Sequence, residues 1–176
     1  KTFKVIWKRE DLPCRHYRGP GSSPLVHKDL LVLTMDGIDL QYLVALDKQT
    51  GKTVWKTDRS AEWNDLDKDG KPDRGGDMRK AFSTPIVIKA GGVAQLISSG
   101  SKASYAYDPA TGRELWKIST AAHSPATRPL FDKGLVFVAT GSGKSEYLAV
   151  RPDGRGNVTE THIVWRTVRG APRLRA

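Results

Sequence analysis

A motif that occurs twice, tryptophans at near-even steps, and short apolar runs punctuated by glycine turns predict an all-β chain of four-stranded antiparallel blades. The motif reads A-x-D-x-x-T-G-[KR]-x-x-W. It runs from Ala45 through Asp47, Thr50, Gly51 and Lys52 to Trp55, and again from Ala106 through Asp108, Thr111, Gly112 and Arg113 to Trp116. In each copy a proline, Pro24 or Pro85, stands 31 positions before the tryptophan, so the repeating unit is a whole piece of structure. Trp7 and Trp165 extend the series to steps of 48, 61 and 49 residues, the length of a four-stranded propeller blade. Helical repeats of that length need long apolar patterns at i, i+3 and i+4, which this chain lacks. The predicted fold class is a β-propeller fragment.

Taken in order, residues 1–10 read as the outer strand of a preceding blade, carried by Phe3, Val5, Ile6 and Trp7. Residues 20–58 form a first full blade, with strands at 25–27, 30–34, 42–46 and 53–57 between the Asp36-Gly37 and Thr50-Gly51 turns. An inserted Asp-rich loop occupies 59–81. A second blade, 82–120, repeats the pattern with strands at 86–88, 94–98, 104–107 and 114–118. A third, 124–168, has strands at 130–131, 135–139, 147–150 and 162–166, and 169–176 reads as the start of a further blade. At about 45 residues per blade the chain holds three blades and one leading strand, whereas closed propellers carry about four to eight, so it reads as a piece of a larger protein.

Each motif residue has a local reason to be there. Asp47 and Asp108 end a strand where a short carboxylate can accept backbone N–H groups of the turn, and Gly51 and Gly112 supply a positive φ. A blade is a small sheet, apolar on both faces, that can bury those faces only against its neighbours. Indoles at one position per repeat, Trp55, Trp116 and Trp165, therefore read as docking surfaces between blades.

On these residues the sequence resembles the tryptophan-docking motif of the pyrroloquinoline-quinone-type (PQQ-type) eight-bladed β-propellers. That superfamily holds quinoprotein alcohol dehydrogenases and non-catalytic members such as the lipoprotein subunit of the outer-membrane assembly machine. The third unit departs from the pattern. Ala149 and Trp165 keep their places, but Arg151 stands where the aspartate belongs and the turn is lengthened through residues 152–157. The resemblance implies an extracytoplasmic location, periplasmic or secreted.

One cysteine, Cys14, excludes an internal disulfide and also the adjacent-cysteine ring that the resemblance requires beside PQQ in the alcohol dehydrogenases. PQQ is accordingly not expected in these blades. No run of 18 apolar residues is present, so no membrane-spanning helix is expected. The net charge, 29 − 19 = +10, raises nucleic acid as a partner, but the cations are scattered through the turns without a basic helix or an aromatic-interleaved stripe. A solvated face is the simpler reading, and nucleic acid is not an expected partner. Gly141-Ser-Gly-Lys144-Ser145 is no phosphate loop, because Val138 stands where its first glycine is required and a strand follows.

The connection from Trp55 to Pro85 takes 30 positions, against 17 from Trp7 to Pro24 and 13 from Trp116 to Pro129. Within it, Asp65, Asp67 and Asp69 occupy positions 1, 3 and 5 of a tight loop, Gly70 position 6 and Asp73 position 9, with the Lys71 carbonyl at position 7. That is the spacing by which oxygen ligands wrap Ca²⁺. It resembles the calcium loops of integrin-type propellers and dockerins, departs from the EF-hand in having Gly76 at position 12, and implies a structural Ca²⁺.

One end of the blades is expected to gather residues 36–39, the insert, 100–102, 141–144 and the segments around His16 and His123. Lys102, Lys144 and His123 would line a ligand face there by analogy with other propellers. The function expected is a non-catalytic propeller scaffold that binds protein or an envelope component. The alternative is part of a quinoprotein alcohol dehydrogenase using PQQ and Ca²⁺.

Overall fold

The computed structural model describes residues 3–168 and Gly170. Among these described residues thirteen strands appear in three sheets. The first blade is β1 (Leu25–His27), β2 (Leu30–Asp36), β3 (Gln41–Asp47) and β4 (Thr53–Asp58), paired in that order and antiparallel throughout. The second is β5 (Ile86–Ala90), β6 (Val93–Ser99), β7 (Ala103–Tyr107) and β8 (Glu114–Ser119), with the same order and sense. The third is β9 (Leu130–Asp132), β10 (Leu135–Ala139), β11 (Tyr147–Val150) and β13 (Ile163–Thr167).

The expected strands are present, those at 25–27, 135–139 and 147–150 with the expected bounds and the rest lengthened or shifted by a residue or two, because ladder hydrogen bonds run on past the apolar core into the hairpins. In every blade the pairing of the last two strands shifts by one residue after the motif alanine or its third-unit counterpart, at Ala45/Leu46, Ala106/Tyr107 and Ala149/Val150. Such a bulge bends the outer strand and increases its twist.

Two expectations need correction at the ends and in the third unit. Residues 3–24 form no strand: among the described residues no neighbouring strand lies alongside to take their ladder hydrogen bonds. Trp7 is nevertheless seated on the first blade, its indole Nε1 donating to the Lys48 carbonyl at 3.0 Å while Arg9 donates to the Gly51 carbonyl at 2.6 Å. In the third unit the lengthened turn makes a two-residue strand, β12 (Gly156–Asn157), and one helical turn, α1 (Thr159–His162). β12 pairs parallel with Trp116 and Lys117 of β8, so it extends the second blade's sheet. The expected blade start at 169–176 lies outside the described residues apart from Gly170.

The core is arranged between sheets. One cluster joins the second and third blades through Ile97, Trp116, Ile118, Val136, Val138, Leu148 and Val150; another joins the first and second through Val32, Leu43, Trp55, Leu96, Tyr105 and Tyr107. Burying one such side chain contributes about 1.5–3 kcal/mol, so blade faces that would be wet alone become the main source of stability.

Candidate binding face

The antiparallel order places the β2–β3, β6–β7 and β10–β11 hairpins and the connections between blades at one end of the strands. The remaining hairpins lie at the other end. Backbone bonds tie the first group together. Ile38 N donates to the Arg15 carbonyl, Ala81 N to Asp36, Phe82 N to Pro125, and His123 exchanges two bonds with Ser142. The segments around His16 and His123 thus meet the hairpins as expected.

Beneath this face lies a buried polar cluster between the first two blades. Arg59 donates to both carboxylate oxygens of Asp36 at 3.0 and 2.7 Å and to Ser98 Oγ at 2.9 Å, with its guanidinium carbon 4.9 Å from the Tyr105 ring centre. Burial alone would favour a neutral guanidine, but the Asp36 carboxylate and the flanking phenols of Tyr107 and Tyr105 hold the charge on Arg59. Burial raises both tyrosines, which stay protonated, and the Tyr105 hydroxyl has no hydrogen-bond partner among the described residues. The half-buried Cys14 thiol is pushed up to about 12 by burial and then by Asp39 and Asp36, so it remains protonated at neutral pH.

His123 is half-buried at the centre of the face. Burial lowers its pKa, and the nearby Lys80 and Lys102 lower it further against the opposing pull of Asp77. The Lys80 ammonium is buried against the Asp77 carboxylate. Lys102 lines a cleft of about 430 Å³ with Trp63, Asn64 and Lys117. Lys144 lines another of about 550 Å³ with Glu146 and Arg166, and Ser119 and Thr120 belong to both. Of the three residues of the expected ligand face, Lys102 and Lys144 therefore line neighbouring clefts, and His123 lines neither.

The insert folds onto the same face. Both carboxylate oxygens of Asp65 accept from Arg79, at 3.0 and 2.5 Å, and that bond holds Asp65 below the usual carboxylate range. Arg79 also lies 5.4 Å from the Trp63 ring centre. Asp67 Oδ1 accepts from the backbone N–H groups of Asp69 and Lys71, while the Lys71 carbonyl accepts from Asp67 N. As arranged, Asp65, Asp67, Asp69 and Asp73 do not converge, and among the described residues no group of three potential ligands could hold a metal ion. In this arrangement a guanidinium neutralises position 1, and the loop's own N–H groups occupy one carboxylate oxygen of position 3. Gly76, at position 12, has φ 84° and packs so closely on the Ile38 carbonyl that any side chain would collide.

At the opposite end the motif residues act as blade-to-blade fasteners. Trp55 Nε1 donates to the Pro109 carbonyl at 3.1 Å, and its ring lies so close to Gly112 that a Cβ there would sit 2.6 Å from Cδ2. Gly51 stands in the same relation to Trp7. Asp47 Oδ1 accepts from Gln49 N, Thr50 N and Thr50 Oγ1, and Asp108 Oδ1 accepts from Ala110 N. Lys52 and Arg113 are solvent-exposed turn residues, and Ala45 and Ala106 are fully buried. Trp116 is fully buried, but its Nε1 reaches Gln95 Oε1 at 2.9 Å, and Gln95 Nε2 donates onward to the Pro152 carbonyl at 2.8 Å. Trp165 is 40% exposed against Phe137 and Tyr147.

Sequence reasoning missed Arg59, Asp36 and Gln95. The one available signal was Gln95 itself, an amide within the apolar run of residues 93–97.

The radial four-stranded sheets, indole fasteners and loop face define a PQQ-repeat β-propeller, here as a run of three blades. The family model described as "Outer membrane protein assembly factor BamB" matches residues 39–175. The chain belongs to that family. Among solved structures it is similar to BamB from Moraxella catarrhalis, at 14% identity and a TM-score of 0.51, covering 84% of this chain and 36% of that one. It is also similar to quinohemoprotein alcohol dehydrogenase from Comamonas testosteroni, at 17% identity and a TM-score of 0.55, covering 85% of this chain and 21% of that one. A third, quinohemoprotein alcohol dehydrogenase ADHIIG from Pseudomonas putida HK5, shares 16% identity at a TM-score of 0.53, with 82% and 26% covered. The chain thus spans about a third or less of these neighbours' lengths. No curated protein matches the sequence at a significant level. Among the described residues no helix is long and apolar enough to cross a membrane.

Proposed function

We propose that the chain is part of a non-catalytic propeller scaffold that binds protein or another envelope component, outside the cytoplasm, through the face of inter-blade connections. The observation that carries this reading is backbone commitment on that face. Of seven non-glycine residues with positive φ among the described residues, Tyr17, Asn64, Arg74, Lys102 and Ser124 lie there. Such conformations cost about 1–3 kcal/mol each and persist where the surroundings fix them, which favours a pre-shaped recognition surface over a set of loose connections. The family's description as an outer-membrane assembly factor supports the same reading.

The test is a photo-crosslinking residue placed at Lys102 or Lys144 in the organism that encodes the protein. A discrete adduct with one envelope component is expected from these positions and not from Lys52, at the other end of the blades. The same adduct from all three, or none, overturns the proposal.

The alternative, part of a PQQ- and Ca²⁺-dependent alcohol dehydrogenase, requires quinone-dependent oxidation of primary alcohols with an artificial acceptor. The scaffold reading predicts none, and turnover that disappears when the quinone is removed would decide against it. Calcium enters the proposal as a competitor of Arg79 for Asp65. Calorimetric titration should therefore show tighter Ca²⁺ binding in Arg79→Gln than in the parent, and the gain should vanish when Asp67→Ala is added.

A further inference from the structure

At the end of the blades opposite the proposed binding face, a groove of about 610 Å³ opens between the second and third blades. Its walls are the β5–β6 hairpin on one side and the β9–β10 hairpin with the lengthened third turn on the other. Val93, Phe131 and Leu135 supply an apolar floor, and Lys89, Arg151 and Arg155 stand around it. All three cations are exposed.

The charge on this rim is unbalanced. Arg151 donates from its guanidinium to the Thr161 carbonyl at 2.8 Å, and Arg155 donates to the Gly154 carbonyl at 2.7 Å; neither meets a carboxylate among the described residues. Lys89 has no described ion pair. The one acidic lining residue, Asp153, faces His162 Nε2 at 3.5 Å. The corresponding cleft between the first two blades is different. It is lined by Lys28 together with Asp29 and Asp108, so its charges are mixed.

The groove comes from the third unit's departure from the repeat. Where the first two motifs hold an aspartate that caps its own turn, the third holds Arg151, whose long side chain spans the enlarged turn to the Thr161 carbonyl. The inserted residues carry Arg155 outward before β12 docks on β8. Gln95, bridging Trp116 and Pro152, fixes the turn from beneath.

We propose that this groove binds an acidic peptide segment carrying one large apolar residue. The apolar side chain would lie on Phe131, Leu135 and Val93, and its flanking carboxylates would pair with Lys89, Arg151 and Arg155. Arginine forks suit carboxylates because they offer paired N–H donors in a fixed plane. An apolar floor inside a polar, charged rim is the usual anatomy of a specific protein contact. This site is separate from the face named above, and either can fail without the other.

The test uses the whole chain and a fluorescein-labelled decapeptide of Asp and Glu around a central Leu, followed by fluorescence anisotropy. Saturable binding is expected. It should weaken about tenfold or more in Arg151→Glu/Arg155→Glu, because two attractive contacts become repulsive. It should weaken at high salt, and a peptide with Gly in place of the central Leu should bind several-fold less tightly. Lys8→Glu/Lys56→Glu makes the same change in net charge elsewhere and should bind like the parent. Arg155→Glu alone, at an exposed turn position, repeats the measurement should the double variant not fold. Equal binding by the groove variants, equal loss in Lys8→Glu/Lys56→Glu, indifference to the central Leu, or tighter binding of a single-stranded oligonucleotide of equal length would each overturn the proposal.

Discussion

Two seams join three blades, and they are built differently. Between the first and second, an indole donates directly to a turn carbonyl, a glycine lets the ring lie flat on the turn, and the Arg59–Asp36 pair is sealed beneath. Between the second and third, the indole reaches its carbonyl only through Gln95, and the turn compensates by laying β12 along β8. The pairing register aligns Ile97 with Val32, through Ala106 and Ala45, so Gln95 occupies the place of Leu30. A repeat protein can thus keep its blade spacing while exchanging a direct fastener for a relayed one. The relayed version frees the turn to grow into a groove.

The difference can be broken first at the indole. Trp116→Ala should cost about 3–5 kcal/mol in urea denaturation, the usual range for deleting a buried aromatic. Trp165→Ala, whose ring is 40% exposed, should cost well under half as much; equal losses would mean that burial between blades is not what the indoles contribute. The first seam is tested by charge. Arg59→Met should cost about 3–5 kcal/mol because Asp36 is left buried without its cation. Adding Asp36→Leu should recover much of that loss, and a double variant as unstable as the single one would show that the hydrogen bonds matter more than the charge balance.

Gln95→Leu sharpens the comparison further. It restores the residue type of the first blade but strands Trp116 Nε1 and the Pro152 carbonyl, at a cost of about 1–3 kcal/mol. Amide exchange should accelerate at Val158 and Ser119, which are tied across this seam, and not at Thr57.

The smallest effect is a pH dependence on the loop face. His123 has a folded pKa below its ordinary value, so above about 6.5 the imidazole is neutral in both states and its contribution is complete. As pH falls below that point the unfolded chain takes up the proton first. Stability then declines until the folded pKa is passed, where it levels. Thermal midpoints at pH 7.5 and 5.5 should converge in His123→Asn relative to the parent, and an unchanged difference would assign the slope to other groups.

The strands were legible because short apolar runs buried on both faces and glycine at turns write themselves into residue order. Trp55 and Trp116 were legible for the same reason, since each acts at one fixed place per repeat. Arg59 was not. Its partner Asp36 sits 23 positions earlier, in a hairpin that reads as an ordinary Asp-Gly turn; the pairing of β3 with both β2 and β4 brings the two together, and the second blade buries them. The aspartate series in the insert has the spacing of a metal loop, and that spacing is the same whether a cation or Arg79 neutralises position 1. Nothing in the local pattern points to an arginine 14 positions downstream. The third turn was legible as a departure, but its landing on another blade's outer strand was not, because parallel pairing leaves no hairpin signature.

That landing also imposes an order of events. Gly156 lies forty positions after its partner Trp116, so a chain made from its N-terminus completes β5–β8 with the outer edge of that sheet still open. The edge is covered only when the third turn emerges and settles on it. β12 is thus a late-arriving latch: for that interval the second blade exposes a strand able to pair with another chain, and afterwards the edge is covered at Trp116 and Lys117.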